Sequence, residues 1–446
     1  MAGLSINVCF HGHSGSGTSS LMGRLLYECG GFTQREKDRI EKDAVAMGKP
    51  DLQLAWLIDR LKSDREYGKT TVFNCSYRLF VNATASITML HVPGDPKYRK
   101  NLIKGICIAD YSVIVISAEL DKLEENLNET QLHLTLARTT GTKQIIVVVN
   151  KLDLVDFSSE TFAHVSDGVS KILRKVGYKP KNYQILPISV WKASNLLQKN
   201  ELSWFEGPTL LEALQSLDVN LPRRCSEGPF RMVAIDSYYI SGIGVVVTGQ
   251  VVSGKANPGV KIIINGARQI EGSFTIFSIE KHYEALNVAE VGACVGLNIK
   301  GLPNKPRTFK FVKPGDVIGT ATEPPRVTSS FIARIKVLKT PTSQGIKPGY
   351  SPVLNCHLLQ IPCKWQSFIS KTNNSSISID SPQLLEQGDS ALIEMVAPRG
   401  ICVEEYAICP TLGTIIIRDH GDIIAIGRIE QILSGIGRKT KGIVKN

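Results

Sequence analysis

A chain of 446 residues is long enough for two to four domains, and its 43% hydrophobic and 21% charged residues exclude low-complexity and collagen-like chains. No run approaches the about 18 apolar residues of a membrane span, and the ten scattered cysteines form no CxxC pair. We therefore expect a cytoplasmic protein with reduced thiols and no membrane contacts. The net charge of +11 favours anionic partners such as nucleic acid.

Residues 1–222 alternate short apolar runs with longer amphipathic stretches. The runs predict strands at 6–10, 87–92, 112–117, 144–149 and 184–188. The amphipathic stretches predict helices at 19–29, 129–139 and 160–176. This alternation is typical of an α/β domain with a doubly wound parallel sheet, in which ligands bind beyond the carboxyl ends of the strands.

The helical period disappears after residue 228. Short β-branched runs are separated there by Gly, Pro and Asn turns, a pattern typical of small barrels or sandwiches. We predict two small all-β barrels, at 228–323 and 327–434, followed by a basic flexible tail at 435–446.

A phosphate-loop frame follows the first predicted strand. Gly12, Gly17, Thr18, Ser19 and Ser20 fit G-x-x-x-x-G-[K]-S between a strand and a helix, where backbone N–H groups bind anions. The position that requires lysine holds Thr18, and exchanging a charged contact for a neutral one costs on the order of 1–2 kcal/mol. A Gly/Ser turn that binds nothing is the alternative interpretation of this segment.

Three further segments favour a guanine nucleotide. Asn150, Lys151, Leu152 and Asp153 follow a predicted strand, where the Asp can accept two hydrogen bonds from guanine that adenine cannot supply. Ser189, Val190 and Trp191 follow the next strand, as a second guanine loop would. Gly68, Lys69 and Thr70 follow a charged run, as a switch segment would.

The chain resembles translational GTPases of the elongation factor 1-alpha group along nearly all of its length. The resemblance is carried by residues 25–31, 55–61, 173–180, 187–191, 282–286, 348–357 and 412–419. It implies a P-loop GTPase-like domain at 1–222 followed by the two barrels, and a monomer outside its complexes. The implied partners are the ribosome and either tRNA or a tRNA-mimicking protein. Sister branches are the GTP-binding release-factor subunit and the stalled-ribosome rescue GTPase.

The resemblance also implies roles for individual residues. Gly12, Gly17, Thr18, Ser19 and Ser20 would meet the phosphates of GTP or GDP, with Ser19 and Thr70 as magnesium ligands and Gly94 in the second switch. Guanine would be bound by Asn150, Lys151, Asp153, Ser189, Val190 and Trp191.

The chain departs from the family where the chemistry occurs. Relatives carry Asp-Ala-Pro-Gly-His, whose Asp holds the magnesium shell and whose His positions the attacking water; this chain has His91-Val92-Pro93-Gly94-Asp95. His91 offers nitrogen to a cation that prefers oxygen, and Asp95 adds negative charge beside the γ-phosphate. With Thr18 as well, we interpret the chain as a pseudo-GTPase that binds nucleotide and magnesium weakly, and we assign no catalytic residue.

Two alternatives to the pseudo-GTPase stay open. One is an active GTPase that delivers aminoacyl-tRNA to the ribosome, and the other is a release- or rescue-branch adaptor that carries a tRNA-shaped protein. Two basic clusters, around 97–104 and 171–181, are dense enough to contact RNA phosphates, although a solvated helix face explains each of them as well.

Overall fold

The computed structural model describes residues 4–80, 85–218, 225–266, 270, 272–282, 284–302, 312–342, 344–372, 378–420 and 422–435. The chain divides into two compact units, with the boundary between residues 222 and 223. Within the described residues, every helix is too short or too polar to cross a membrane. The predicted tail at 435–446 lies outside the described residues except for its first position.

The first unit is built on a six-stranded sheet. Its strands are β1 (Leu4–Gly12), β2 (Asn74–Phe80), β3 (Ala85–His91), β4 (Tyr111–Ser117), β5 (Ile145–Asn150) and β6 (Tyr183–Pro187). They are ordered β2-β3-β1-β4-β5-β6. The β-branched strands β4 and β5 are buried along their whole length, as strands covered on both faces should be.

The prediction of an all-parallel sheet is wrong at one edge. Strand β2, which the apolar pattern did not indicate, pairs antiparallel with β3, whereas the other strand pairs are parallel. Only four residues separate β2 from β3. Such a short connection can join antiparallel neighbours, but a parallel pair needs a crossover of a dozen residues or more.

Helices surround the sheet of the first unit. They are α1 (Thr18–Glu28), α2 (Gln34–Ala46), α3 (Gln53–Trp56), α4 (Lys62–Tyr67), α5 (Arg99–Ile108), α6 (Leu123–Thr140), α7 (Ser159–Val176) and α8 (Leu210–Gln215). The sequence pattern did not indicate α2, because it buries only Ile40 and Ala44 against the core. A capping box between Thr33 and Glu36 starts α2 instead.

The second unit is all-β apart from one short helix, α9 (Pro410–Gly413), among the described residues. Its first strands are β7 (Arg231–Ile240), β8 (Gly244–Ser253), β9 (Lys255–Ala256), β10 (Lys261–Asn265), β11 (Phe274–Lys281), β12 (Glu284–Leu286), β13 (Ala289–Glu290), β14 (Cys294–Lys300) and β15 (Val317–Thr320). Neighbours in the order β10-β15-β7-β8-β14-β11 pair, and β10 also pairs with β11, which closes a barrel. Its interior forms a separate apolar core.

The last strands form an eight-stranded β-sheet with its own apolar core. They are β16 (Thr328–Val337), β17 (Val353–Cys356), β18 (Leu359–Pro362), β19 (Lys364–Thr372), β20 (Ser378–Asp380), β21 (Ser390–Ile401), β22 (Thr414–Asp419) and β23 (Asp422–Gly435). They are ordered β18-β17-β22-β23-β16-β21-β19-β20. The predicted fold class, an α/β domain followed by β-rich domains, is confirmed, whereas the finer boundaries at 228–323 and 327–434 stay predictions.

Candidate nucleotide-binding site

The loop between β1 and α1 has the backbone geometry of a phosphate cradle. Strand β1 ends at Gly12 and α1 begins at Thr18, so the loop leads from a central strand into a helix N-terminus. Gly17 has a φ of 93°, in the left-handed region that favours glycine. A Cβ there would lie 2.4 Å from Asn150 Nδ2. The N–H groups of a first helical turn lack intrahelical partners, and they therefore bind anions.

Asn150 joins this loop to the two loops of the predicted guanine pocket. Its Nδ2 donates to the carbonyl oxygen of Ser16 at 2.9 Å, and its Oδ1 accepts the N–H of Val190 at 3.0 Å. Because Asn150 is buried, losing either bond would leave an unpaired polar group in the interior. The loops after β1, β5 and β6 are therefore held in one arrangement by a single side chain.

The carboxylate predicted to bind guanine is already oriented. Ser189 Oγ donates to Asp153 Oδ1 at 2.5 Å. Lys151 has a left-handed backbone, with a φ of 66°, and its Nζ lies 2.5 Å from a carboxylate oxygen of Glu119. The hydroxyl of Ser117 donates to the same carboxylate at 2.8 Å. Lys151 is therefore held by an acid from the loop after β4.

The two predicted magnesium ligands lie together in a cluster of polar side chains. Ser19 Oγ is 3.0 Å from Thr70 Oγ1, and Thr70 Oγ1 donates to Asp59 Oδ1 at 3.0 Å. His91 Nε2 lies 3.0 Å from Ser19 Oγ and 3.4 Å from Thr70 Oγ1. The spacing of the two hydroxyls matches the edge of about 3 Å in a magnesium octahedron, but the imidazole nitrogen is not a ligand that this cation prefers. The donor set therefore fits magnesium poorly.

Burial sets the charges of this cluster. It raises the pKa of the Asp59 carboxyl to about 7, although the hydrogen bond from Thr70 opposes the shift. It lowers the pKa of His91 to about 4, so the imidazole is neutral at pH 7. The cluster of Ser19, Thr70, Asp59 and His91 consequently carries less than one full negative charge near neutral pH.

Asp95 lies in an ion pair. Its Oδ2 is 2.9 Å from Lys69 Nζ, and its Oδ1 accepts the N–H of Lys97 at 3.0 Å. These two contacts hold the pKa of the Asp95 carboxyl below its usual value, with the Lys97 N–H as the larger cause. Asp95 is therefore ionised, and Lys69 from the predicted switch segment balances its charge.

These residues surround a cavity of about 360 Å³, within the range of small-molecule sites. Its lining includes two lysines, Lys69 and Lys151, both in ion pairs. It also includes four aspartates, namely Asp51, Asp59, Asp64 and Asp95. Because four carboxylates face two lysines, a bound phosphate would depend on backbone N–H groups rather than on side-chain charge.

The structure brings most of the predicted site residues to this cavity. Those that line it are Gly12, Gly17, Thr18, Ser19, Ser20, Thr70, Gly94, Asp95 and Lys151. Five others lie outside the lining: Asn150, Asp153, Ser189, Val190 and Trp191. Their roles in nucleotide binding stay predictions.

No motif in the sequence indicates Asp59 or Glu119 as a site residue. Asp59 lies in the segment 55–61 that carries the family resemblance, but no spacing rule connects it with Thr70. Glu119 follows β4 at the carboxyl edge of the sheet, and that position was the available signal.

A phosphate loop on the first strand, a doubly wound sheet and a polar pocket at its carboxyl edge define the class of P-loop nucleotide-binding proteins. Two family models match the chain. "Elongation factor Tu GTP binding domain" matches residues 4–219, and "GTP-eEF1A C-terminal domain-like" matches residues 330–430.

Curated relatives match nearly the whole chain. Elongation factor 1-alpha 2 of Euplotes crassus is 34% identical, covering 96% of this chain and 95% of that protein. Elongation factor 1-alpha of Archaeoglobus fulgidus is 35% identical, covering 95% and 97%. The chain belongs to the elongation factor 1-alpha family of translational GTPases.

Solved structures agree with the fold. The GTPase-like domain of Saccharomyces cerevisiae Ski7 bound to GTP has a TM-score of 0.78 at 17% identity, over 96% of this chain and 97% of that one. Elongation factor SelB from Methanococcus maripaludis in its apo form has a TM-score of 0.67 at 18% identity, over 97% and 81%.

Proposed function

We propose that this chain binds guanine nucleotides with their phosphates in the cavity, and acts on the translation machinery as a binding protein whose GTP hydrolysis is slow or lost. The observation that carries the proposal is the wall around the phosphate positions, where both lysines are paired and four aspartates are present. A hydrolysing site must stabilise charge on the transferred phosphoryl group, mostly with lysine, arginine and metal ions.

The support for guanine binding is the arrangement of Asp153, Ser189 and Asn150. Ser189 orients the carboxylate that would accept the guanine N1–H and amino group, and Asn150 holds the base loops against the phosphate loop. Each contact exists before any ligand arrives, so little ordering entropy is lost on binding.

The support for slow hydrolysis comes from three positions. Thr18 provides a hydroxyl where a lysine would neutralise the phosphates, and its Oγ1 is 3.1 Å from Ser16 Oγ. His91 provides a neutral nitrogen beside the two hydroxyls. Asp95 is ionised and paired, so it cannot take the part of a neutral histidine beside the attacking water.

We infer that the partners are the ribosome and either tRNA or a tRNA-mimicking protein, which is the range of partners in this family. The proposed architecture assigns 1–222 to nucleotide binding, with barrels at 228–323 and 327–434. The proposed mechanism is occupancy, in which the shape of the chain and not the cleavage of GTP determines its lifetime on a partner.

Two assays test this function. Titration of fluorescent GDP and GTP analogues should show guanine-selective binding that ATP does not displace. Ribosomes should then raise GTP turnover by this chain far less than turnover by an intact elongation factor 1-alpha in the same preparation. Comparable GTP turnover by the two proteins would favour the active GTPase that delivers aminoacyl-tRNA. Absence of guanine nucleotide binding would contradict the proposed nucleotide site.

A pull-down of the tagged chain from cell extract distinguishes the two cargo classes. Co-purifying tRNA favours the elongation branch, whereas a stoichiometric protein subunit favours the release or rescue branch.

A further inference from the structure

A dense basic surface lies at the edge of the first sheet opposite the cavity. We call this surface the basic face. It consists of seven exposed cations: Arg138, Lys143, Lys171, Arg174, Lys175, Lys179 and Lys181. They lie toward the C-terminal ends of α6 and α7 and immediately before β5 and β6. The cavity lies beyond the carboxyl ends of the same sheet. The basic face is therefore separate from the nucleotide site.

Tyr178 assembles the basic face from both helices. Its buried ring lies under the guanidinium of Arg138, 5.4 Å from the ring centroid, and its hydroxyl donates to the carbonyl oxygen of Thr142 at 3.1 Å. Lys175 Nζ donates to Gln131 Oε1 on α6 at 3.4 Å. These contacts fix the C-terminal ends of α6 and α7 beside each other, so their cations share one surface.

Among the described residues, no acidic side chain forms an ion pair with this surface. Residues 130–152 and 168–200 contain no Asp or Glu, and within the described residues none of the seven cations belongs to an ion pair. The other basic cluster differs, because its Arg99 is paired with Glu129 at 2.7 Å.

Helix capping does not account for seven charges. The C-terminus of each helix carries about half a negative charge, so α6 and α7 together offset about one of the seven cations. About six positive charges are left on a surface that repels itself, which is a cost unless an anionic partner binds.

We propose that the basic face binds the phosphate backbone of RNA, at a site separate from the nucleotide cavity. Protein interfaces are organised around apolar or aromatic anchors, and none of the exposed large hydrophobic side chains among the described residues lies within 138–143 or 171–181. Backbone binding to nucleic acid requires only cations, and Lys171, Arg174 and Lys175 stand three and four residues apart, about 5–6 Å between neighbouring Cβ atoms.

The binding is independent of RNA sequence. Base recognition needs exposed aromatic rings or side chains that reach base edges, and the ring of Tyr178 is buried beneath Arg138. RNA binding by the basic face does not depend on nucleotide binding in the cavity. Saturation with GDP should therefore leave the affinity for RNA unchanged.

Fluorescence anisotropy of a labelled, blunt-ended RNA duplex tests the proposal with the full chain across a salt titration. The combined variant Lys171→Gln, Arg174→Gln and Lys175→Gln should weaken binding at least tenfold and reduce the slope of log affinity against log salt by about 2–3. The combined variant Lys143→Gln, Lys179→Gln and Lys181→Gln should behave alike. A matched control replaces three exposed, unpaired lysines of the second unit: Lys336→Gln, Lys347→Gln and Lys364→Gln.

An equal loss of RNA affinity in the control variant would overturn the proposal, because the net positive charge of the chain and not this surface would then account for the binding. Displacement of RNA by poly-glutamate at matched charge would overturn it in favour of an acidic protein partner. Lysine acetylation of the unmodified chain provides a readout that does not depend on variant folding. RNA should protect Lys171, Lys175 and Lys179 but not Lys347, and equal reactivity with and without RNA would refute the assignment.

Discussion

Placing a lysine at position 18 should raise the affinity of the chain for nucleotide phosphates. Thr18 is the first residue of α1 and lines the cavity, so the variant Thr18→Lys places an ammonium group at the phosphate cradle. The lysines already present cannot supply that charge, because Lys69 is paired with Asp95 and Lys151 with Glu119.

The expected gain follows from two opposing quantities. A unit charge about 4 Å from a phosphate oxygen contributes about 4 kcal/mol at an effective dielectric constant of about 20. Immobilising a lysine side chain costs about 2 kcal/mol. The difference, about 2 kcal/mol, corresponds to an affinity increase of about 30-fold for GDP and GTP.

Titration of fluorescent GDP and GTP analogues measures this gain. The matched control is Ser14→Lys, which adds the same charge to an exposed position of the same loop. Affinity of the Thr18→Lys variant within about threefold of the parent chain would refute the reasoning, as would an equal gain in the control. Either result would mean that the loop does not place a nucleotide phosphate beside residue 18.

Three further outcomes are expected. The variant His91→Asp should make GDP affinity respond to magnesium at least tenfold in titrations with and without EDTA, because it adds an oxygen ligand beside Ser19 and Thr70. The variant Asp153→Ala should lower guanine nucleotide affinity at least tenfold and remove the preference for guanine over adenine, measured by competition with GTP and ATP. The variant Asp59→Asn should gain stability over the parent as pH rises from about 4 to about 7. Between these pH values Asp59 is ionised in the unfolded chain but protonated in the folded chain, because its folded pKa is about 7. The free energy of unfolding of the parent therefore falls as pH rises through this window, by up to about 4 kcal/mol, as urea unfolding at several pH values would show.

Each of these outcomes has its own control. The variant His91→Asn removes the imidazole without adding a carboxylate, and an equal response to magnesium in it would contradict the ligand argument. The variant Asp167→Ala changes an exposed aspartate of α7 and should leave nucleotide selectivity unchanged. The variant Asp51→Asn changes an exposed aspartate of the cavity wall. If its stability depends on pH in the same way as that of Asp59→Asn, the pH effect does not come from Asp59 in particular.

Several parts of the fold and site are readable from local sequence. The β-branched runs of β4 and β5 predict buried strands because both of their faces pack against the interior. The amphipathic period of α7 predicts all of this helix except its first residue. The frame from Gly12 to Ser19 and the segment from Asn150 to Asp153 predict a nucleotide pocket because backbone turns and hydrogen-bond chemistry demand those residue types. Strand β2 and helix α2 were not predicted, because neither has a continuous apolar pattern.

The sequence by itself determined the family, the α/β and all-β halves, and the three positions (18, 91 and 95) at which the chain departs from the family pattern. These depend on residue type and on spacing along the chain, which a linear pattern contains. Only the tertiary structure decided that Lys69 pairs with Asp95 and that Asp59 joins Thr70 and His91. It also decided that the C-terminal ends of α6 and α7 and the segments before β5 and β6 bring seven cations, none of them in an ion pair among the described residues, to one surface. Those arrangements depend on distances between segments far apart in the chain, and burial then sets the charge of each group, as the pKa values of Asp59 and His91 illustrate.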